Sequence, residues 1–475
     1  MKPIQFGGLG RTLALVTLSV CAAAGWAAEQ LPAGVQIQPY ALDTGVCANN
    51  TTNDTVAFSA TIQATGKPSK VRVHFSSFDL GKRSYLTLIS ALDGGKQQLE
   101  RISMGYWQST SAIFNGDIVK LELTVAPGEQ GIFAKVDYLV VECACPEQVL
   151  SGVSSRRRLT LCGADSRIAS TDNRVGRISG CTAWLVSNGA VLTAGHCGPV
   201  SGVFSVNVPP SQADGTAVAP APEDQYPIDT SHRTSVDNGK GDDYTVFDLL
   251  PNTTTGSRAH IRFGFFRMTR ENPAAADIIR ITGFGVDNTP AGPVANCCAR
   301  DDLNNCTHPN CNAQSRTLQT ATGPYVAESI NNASNIFHSY KADSEPANSG
   351  SPIIWNVNGF TVGIHTHGGC ASDGSGDNDG TSFENNGLEA LLQNWPGPNT
   401  IYADAIQPPT SPTEDGTIFR PFNTVTEAVS SVISGGRISV VEGSYTRAAG
   451  NTMTMGADGK SFTLLAPVGT VTIGN

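Results

Sequence analysis

A histidine beside a cysteine, and a serine in a glycine-bearing turn, are the residues of this chain whose types invite chemistry. The first lies in Thr193-Ala194-Gly195-His196-Cys197, the second in Asn348-Ser349-Gly350-Ser351-Pro352. A serine hydroxyl is a weak nucleophile until a neighbouring base takes its proton as it attacks. A general base must be held within hydrogen-bond reach of that nucleophile. Either stretch alone is a weak signal, and a lone histidine is more often a buried structural residue. In this order, the two point to acyl transfer.

The stretches resemble those of the trypsin-like serine peptidases, and within them the bacterial glutamyl-endopeptidase-like branch, over Cys162 to Trp395. The resemblance makes His196 the general base and implies a Cys181–Cys197 disulfide beside it. It places an orienting carboxylate just before an apolar strand, which Asp243 fits in Asp242-Asp243-Tyr244-Thr245-Val246-Phe247. Asp242 competes from one register step away, and Asp248 lies past the strand. It makes Ser349 the nucleophile and the backbone N–H groups of Ala347 and Ser349 the oxyanion hole. Ala347 departs from the pattern, which has glycine there. If that peptide needs a positive φ, alanine carries a steric cost. The order histidine, aspartate, serine is of the chymotrypsin type. It implies one β-barrel for the first two residues and a second for the serine.

The same resemblance makes Val362 to Gly369 a wall of the S1 pocket, with His365 where an acidic P1 residue is recognised. Asp343, six residues before Ser349, occupies the place of the acid that selects basic P1 residues in trypsin. An acid there also occurs in the glutamyl branch, so the reading leans to acidic P1. Asn348 stands where zymogens of this type have an aspartate that pairs with a new N-terminal amine. That switch is therefore not expected. Processing is expected near Arg174 or within Arg156–Arg158.

The elements that must position these residues read as all-β. Gly 50 and Pro 27 with only 15% charged residues suit short strands and many turns. A chain of 475 residues has room for about three domains. Residues 1–27 read as a secretory signal, with Lys2 and Arg11 ahead of an apolar run too short to span a bilayer. Residues 34–147 read as an antiparallel β-sandwich, from period-two patterns at Lys70 to Phe75, Val119 to Val125 and Val136 to Val141. Val73-His74-Phe75, Ser84-Tyr85-Leu86 and Phe114-Asn115-Gly116-Asp117 resemble the non-catalytic sandwich ahead of trypsin-like domains in some secreted bacterial proteins. The peptidase-like region is placed at 160–397, closing with a short helix at Leu388 to Trp395. Residues 412–475, with a cap helix around Glu427 to Val429, resemble the opening of a right-handed β-helix of the pectate-lyase type.

Twelve cysteines are present, and an odd number remains once Cys21 leaves with the signal. In an exported chain these read as disulfides, with Cys143 and Cys145 expected to reach Cys47 and Cys162. Cys297, Cys298, Cys306, His308 and Cys311 fit no finger spacing, and the loop Asp373 to Gly380 with Glu384 lacks the glycine of a calcium loop. No metal or cofactor is expected. A net charge of −10 argues against nucleic acid and anionic membranes as partners. Protein or peptide substrates are expected, with no transmembrane anchor, a secreted location (extracellular or periplasmic), and flanking modules available to dock substrate or cell surface. The rival reading is a degenerate peptidase fold that serves as a binding or adhesion module. Ala347 and the short solenoid support the rival, and the intact His196, Asp243 and Ser349 argue against it.

Overall fold

The computed structural model describes residues 35–142, 161–198, 202–212, 216–287, 314–406, 413–451 and 459–474. The expected signal, Arg156–Arg158, Cys143, Cys145 and the cluster Cys297 to Cys311 lie outside them. Among the described residues, no helix is long and apolar enough to cross a membrane.

Residues 35–142 form two antiparallel sheets. One joins Val35–Asp43, Gln130–Glu142, Lys70–Asp79 and Phe114–Asn115, with Cys47–Ala48 paired to Gln130–Glu142; the other joins Thr55–Gln63, Ile118–Val125, Tyr85–Ser90 and Lys96–Leu99. All three period-two stretches lie in these strands. Alternation sends Val71, Val73 and Phe75 inward against Leu86, Leu88 and Leu121. One apolar face per sheet thus closes over a shared core.

Two closed six-stranded barrels follow. The first is ordered Val175–Ile178, Cys181–Leu185, Val191–Thr193, Asp243–Leu249, Gln225–Asp237 and Val203–Ser205. The second runs Gln319–Asn332, Ile278–Gly283, Pro352–Trp355, Thr361–His367, Asn378–Ser382 and Asn335–Tyr340, which pairs back to Gln319–Asn332. The helix after it spans Asn386–Gln393, starting before the expected Leu388 because the Asn385 side chain caps it by accepting the Gly387 and Leu388 N–H groups. The C-terminal residues give parallel pairing, of Thr400–Ala403 with Gly436–Val440 and Phe462–Leu465, and of Gly443–Tyr445 with Val471–Ile473. The helix Val425–Ser431 lies between the first two, capped by Thr424. Tyr402, Ile418 and Phe419 share one core with Leu388, Leu392 and Trp395, and Arg267 pairs with the buried Asp404 at 2.6 Å.

The first sheets meet the first barrel through polar contacts. Gln225 accepts the Ile113 N–H at 2.8 Å and donates to Ile113 O at 2.9 Å. Asn115 and Ala219 make the same reciprocal pair at 2.9 and 2.8 Å. Lys70 and Glu142 pair at 2.7 Å, and the charges of Arg177 and Arg316 reach that carboxylate. Among the described residues two disulfides are formed, Cys181–Cys197 as expected and Cys162–Cys370. The second corrects the expected pairing of Cys162 with Cys143 or Cys145: the segment after Leu161 lies along the second barrel, within reach of the loop that bears Cys370. Cys47 bonds to no other cysteine among the described residues.

Candidate active site

His196 sits on a single 3-10 turn, Gly195–Cys197, directly after the strand Val191–Thr193. Gly195 is required there. A Cβ on it would fall 1.7 Å from Val236 O and 2.8 Å from Tyr244 N, so the turn is pressed against the strand that carries Asp243 and the strand paired with it. Asp243 is fully buried. Its Oδ1 accepts the His196 backbone N–H at 2.9 Å, and its Oδ2 lies 2.6 Å from His196 Nδ1. A carboxylate only accepts, so Nδ1 carries the proton and Nε2 of the neutral ring is left as a base. Burial works to lower the His196 pKa, but the hydrogen bond and charge of Asp243, with Asp237 further off, outweigh it and raise it.

Asp242 turns away to Asn238 and Asn385. Asp248 binds His232 at 2.5 Å and the Trp395 indole at 3.0 Å. The structure therefore brings Asp243, and neither neighbour, to His196.

Ser349 lies at the join of the two barrels. Its carbonyl accepts the Thr182 N–H at 2.9 Å and lies 3.9 Å from Cys197 Sγ. The hydroxyl of Ser349 makes no hydrogen bond among the described residues. Ala347 adopts φ +79° and Gly350 φ +90°. At Gly350 only glycine fits, since a Cβ would meet Thr182 O at 2.1 Å and Thr193 Oγ1 at 2.2 Å. Alanine at 347 bears the steric cost of the left-handed region, about 1 kcal/mol. The backbone N–H groups of Ala347 and Ser349 have no acceptor among the described residues.

Thr182 is a residue to which the sequence assigns no role. Its hydroxyl accepts the Phe284 N–H at 2.9 Å and donates to Ala347 O at 2.9 Å, and its carbonyl accepts from Thr193 Oγ1 at 2.7 Å. One residue thus couples the strand leading to His196 with the turn bearing Ser349. Nothing in the sequence marks it beyond its place next to Cys181.

His365 is buried in the strand Thr361–His367, with Nδ1 2.6 Å from the Tyr340 hydroxyl. Burial first, then His367 and His196, push its pKa down to about 3, so the ring is neutral. Asp343 is placed differently from the expectation of a pocket-base acid. Its oxygens accept the N–H groups of Cys162 at 2.6 Å and Ser166 at 2.8 Å, and the Ser166 hydroxyl at 2.5 Å. His367, half-exposed, stands 3.8 Å from Asp243 Oδ2 through Nδ1. Arg174 and Val175 do not form an open cleavage loop. Val175 is fully buried and begins a barrel strand, and the Arg174 carbonyl accepts the Leu185 N–H at 2.9 Å. The loop from Asp373 holds Ser375 through its own side chain. The Cys181 and Cys197 sulfurs lie close to a nitrogen of His196, but they are bonded to each other.

The two closed six-stranded barrels are consistent with a trypsin-like fold. Residues 166–378, a little under half of the chain, match the family described as Trypsin. Among solved structures, a Glu endopeptidase is 17% identical, covering 49% of this chain and 97% of its own, with a TM-score of 0.33. A thermostable serine protease from an extremophilic microorganism is 13% identical, covering 45% of this chain and 92% of its own, with a TM-score of 0.30. No curated protein matches the chain.

Replacing Ala347 with glycine removes the steric cost at φ +79°, offset in part by the added freedom of the unfolded chain. The urea midpoint of Ala347→Gly is expected to be no lower than that of the wild type. A clear fall, by 1 kcal/mol or so, would mean that alanine is not strained there.

Proposed function

We propose that the protein is an exported endopeptidase that cleaves peptide bonds through Ser349, His196 and Asp243, with a preference for acidic P1 residues. The observation that carries the reading is the 2.6 Å contact of His196 Nδ1 with the fully buried Asp243, beside the turn that holds Ser349. As Ser349 Oγ attacks the scissile carbonyl, His196 Nε2 takes its proton. Asp243 holds the ring in the tautomer that leaves Nε2 free and stabilises the imidazolium. The negative charge on the former carbonyl oxygen faces the N–H groups of Ala347 and Ser349. His196 then protonates the leaving amine, and a water, deprotonated by the same nitrogen, releases the acyl group from Ser349. The free-state Ser349 hydroxyl is unbonded, and such contacts tighten when substrate fills the site. Export rests on the apolar leader and on the two disulfides. The region 160–397 is the catalytic part, with 34–147 and 412–475 as accessory modules, the latter read as a short β-helix.

Acidic P1 preference rests on His365 and on the engagement of Asp343 elsewhere. A carboxylate that binds the neutral imidazole takes a hydrogen bond from Nε2–H, while Nδ1 accepts from the Tyr340 hydroxyl.

A fluorophosphonate is expected to label the wild type at Ser349 and leave Ser349→Ala unlabelled, with kcat of that variant lower by at least about 10⁴-fold. No adduct on the purified, processed wild type, with Ser349→Ala indistinguishable from it, would return the rival reading, a degenerate fold. The pH profile follows from the raised His196 pKa. The base must be neutral, so kcat/KM is low in acid and rises through that pKa, with a midpoint above the ordinary histidine value of about 6.5. A midpoint below about 6 would contradict the Asp243 contact. In a peptide library, Glu or Asp is expected at P1, and His365→Leu should cost acidic P1 substrates roughly 10- to 100-fold, the worth of one hydrogen bond to a charge. Neutral P1 substrates should change little.

A further inference from the structure

The residues ahead of the first barrel form an arm that grips the serine-bearing turn from behind. Asp343, at the head of the segment leading to Ser349, is bound by the N–H groups of Cys162 and Ser166 and by the Ser166 hydroxyl. Cys162 is also bonded to Cys370, just past the pocket wall. Between these anchors lies Arg167, with a side chain only 2% exposed.

The Arg167 guanidinium grips Asp165 with two hydrogen bonds, at 2.9 and 2.6 Å. Its third arm donates to Val286 O at 2.7 Å. Val286 in turn donates its N–H to Pro346 O at 2.9 Å, one residue before Ala347. Arg167 and the Asn348 amide both pack on Gly285, where a Cβ would lie 3.1 and 2.7 Å from them. Carboxylates crowd the same place. Burial, then Asp165, Asp287 and Asp343, push the Glu345 pKa up to about 7 against the pull of Arg167. Removing the arginine would leave these acids to repel one another directly under the turn.

We infer that the arm 161–169, acting through Arg167 and Asp343, sets the turn carrying Ala347 and Ser349 in its working shape, so that the chain is reactive without a cut at or ahead of the arm. Arg167 is a positioning residue. It touches no reacting atom, and it supplies from within the fold a buried cation beside the uncharged Asn348. The inference rests on Ser349 being the nucleophile.

Two experiments on the full chain test it. In the first, Arg156, Arg157 and Arg158 are replaced by glutamine and the uncut protein, verified by intact mass, is treated with a fluorophosphonate. Labelling at the wild-type rate and stoichiometry is expected. An uncut chain that stays inert and becomes reactive only after trimming would overturn the inference. In the second, Arg167→Met is expected to lower kcat and the labelling rate on the order of tenfold or more, with KM little changed and the Cys162–Cys370 bond intact. Arg167→Lys should recover part of the loss. A folded Arg167→Met with wild-type kcat would also overturn it. If Arg167→Met fails to fold, the first experiment still decides. Failure of the underlying reading looks different: Ser349→Ala would label as well as the wild type.

Discussion

A carboxylate with no exposure to water governs the architecture around the site. Asp243 is fully buried, and an unpaired charge in that position would cost several kcal/mol. Its two oxygens are satisfied by one residue, through the backbone N–H and the ring Nδ1 of His196. Both donors must arrive together, so the histidine turn has to press into the barrel wall. Only glycine at 195 lets the backbone approach that closely. The strands Gln225–Asp237 and Asp243–Leu249 pair in a register that puts Asp237 opposite Asp243, which closes the barrel behind the pair. The Cys181–Cys197 bond then ties the next residue to the neighbouring strand.

The serine side depends on backbone shape more than on charge. Positive φ at Ala347 and Gly350 bends the chain so that the amides of Ala347 and Ser349 are left without acceptors among the described residues. Thr182 holds that bend on one side, by its hydroxyl on Ala347 and its amide on Ser349. Because Thr182 lies one residue from Cys181, the disulfide that fixes the histidine also fixes the strand that fixes the serine. The two halves of the site therefore share a support, and a shift of one barrel against the other would disturb both.

How much of this the sequence discloses depends on whether the constraint is local. The strand periods are short-range patterns, and strands form where those patterns place them; the Cys181–Cys197 pair follows from the family resemblance, and the structure forms it. Asp243 separates from Asp242 and Asp248 because strand alternation and the loop turn send the three carboxylates to different partners. What the chain alone does not disclose is direction and depth. Asp343 stands the right number of residues before Ser349 for a pocket acid, yet its carboxylate faces the arm. His365 lies on the expected strand, but its partner Tyr340 comes from a strand some distance earlier in the chain. Arg174-Val175-Gly176 has the composition of a cleavage site and the burial of a barrel strand. Cys162 finds Cys370 across a separation of 208 residues, a pairing that no spacing rule supplies.

The contacts of the first sheets with the barrel bear on what an accessory module is able to do here. A module on a loose tether raises local substrate concentration without regard to orientation. Gln225 with Ile113 and Asn115 with Ala219 are reciprocal amide pairs, each fixing two backbone groups at once. In the Lys70–Glu142 pair the lysine is buried and the carboxylate is one-third exposed beside Arg177, so losing the glutamate would strand a buried charge. Such contacts are poor glue per unit area but strict about geometry, since a small slip leaves buried polar groups unpaired. The sandwich is therefore held in one orientation on the outside of the barrel that carries His196 and Asp243. Any surface it offers stands at a fixed distance from Ser349, because a reorientation would break these paired groups together.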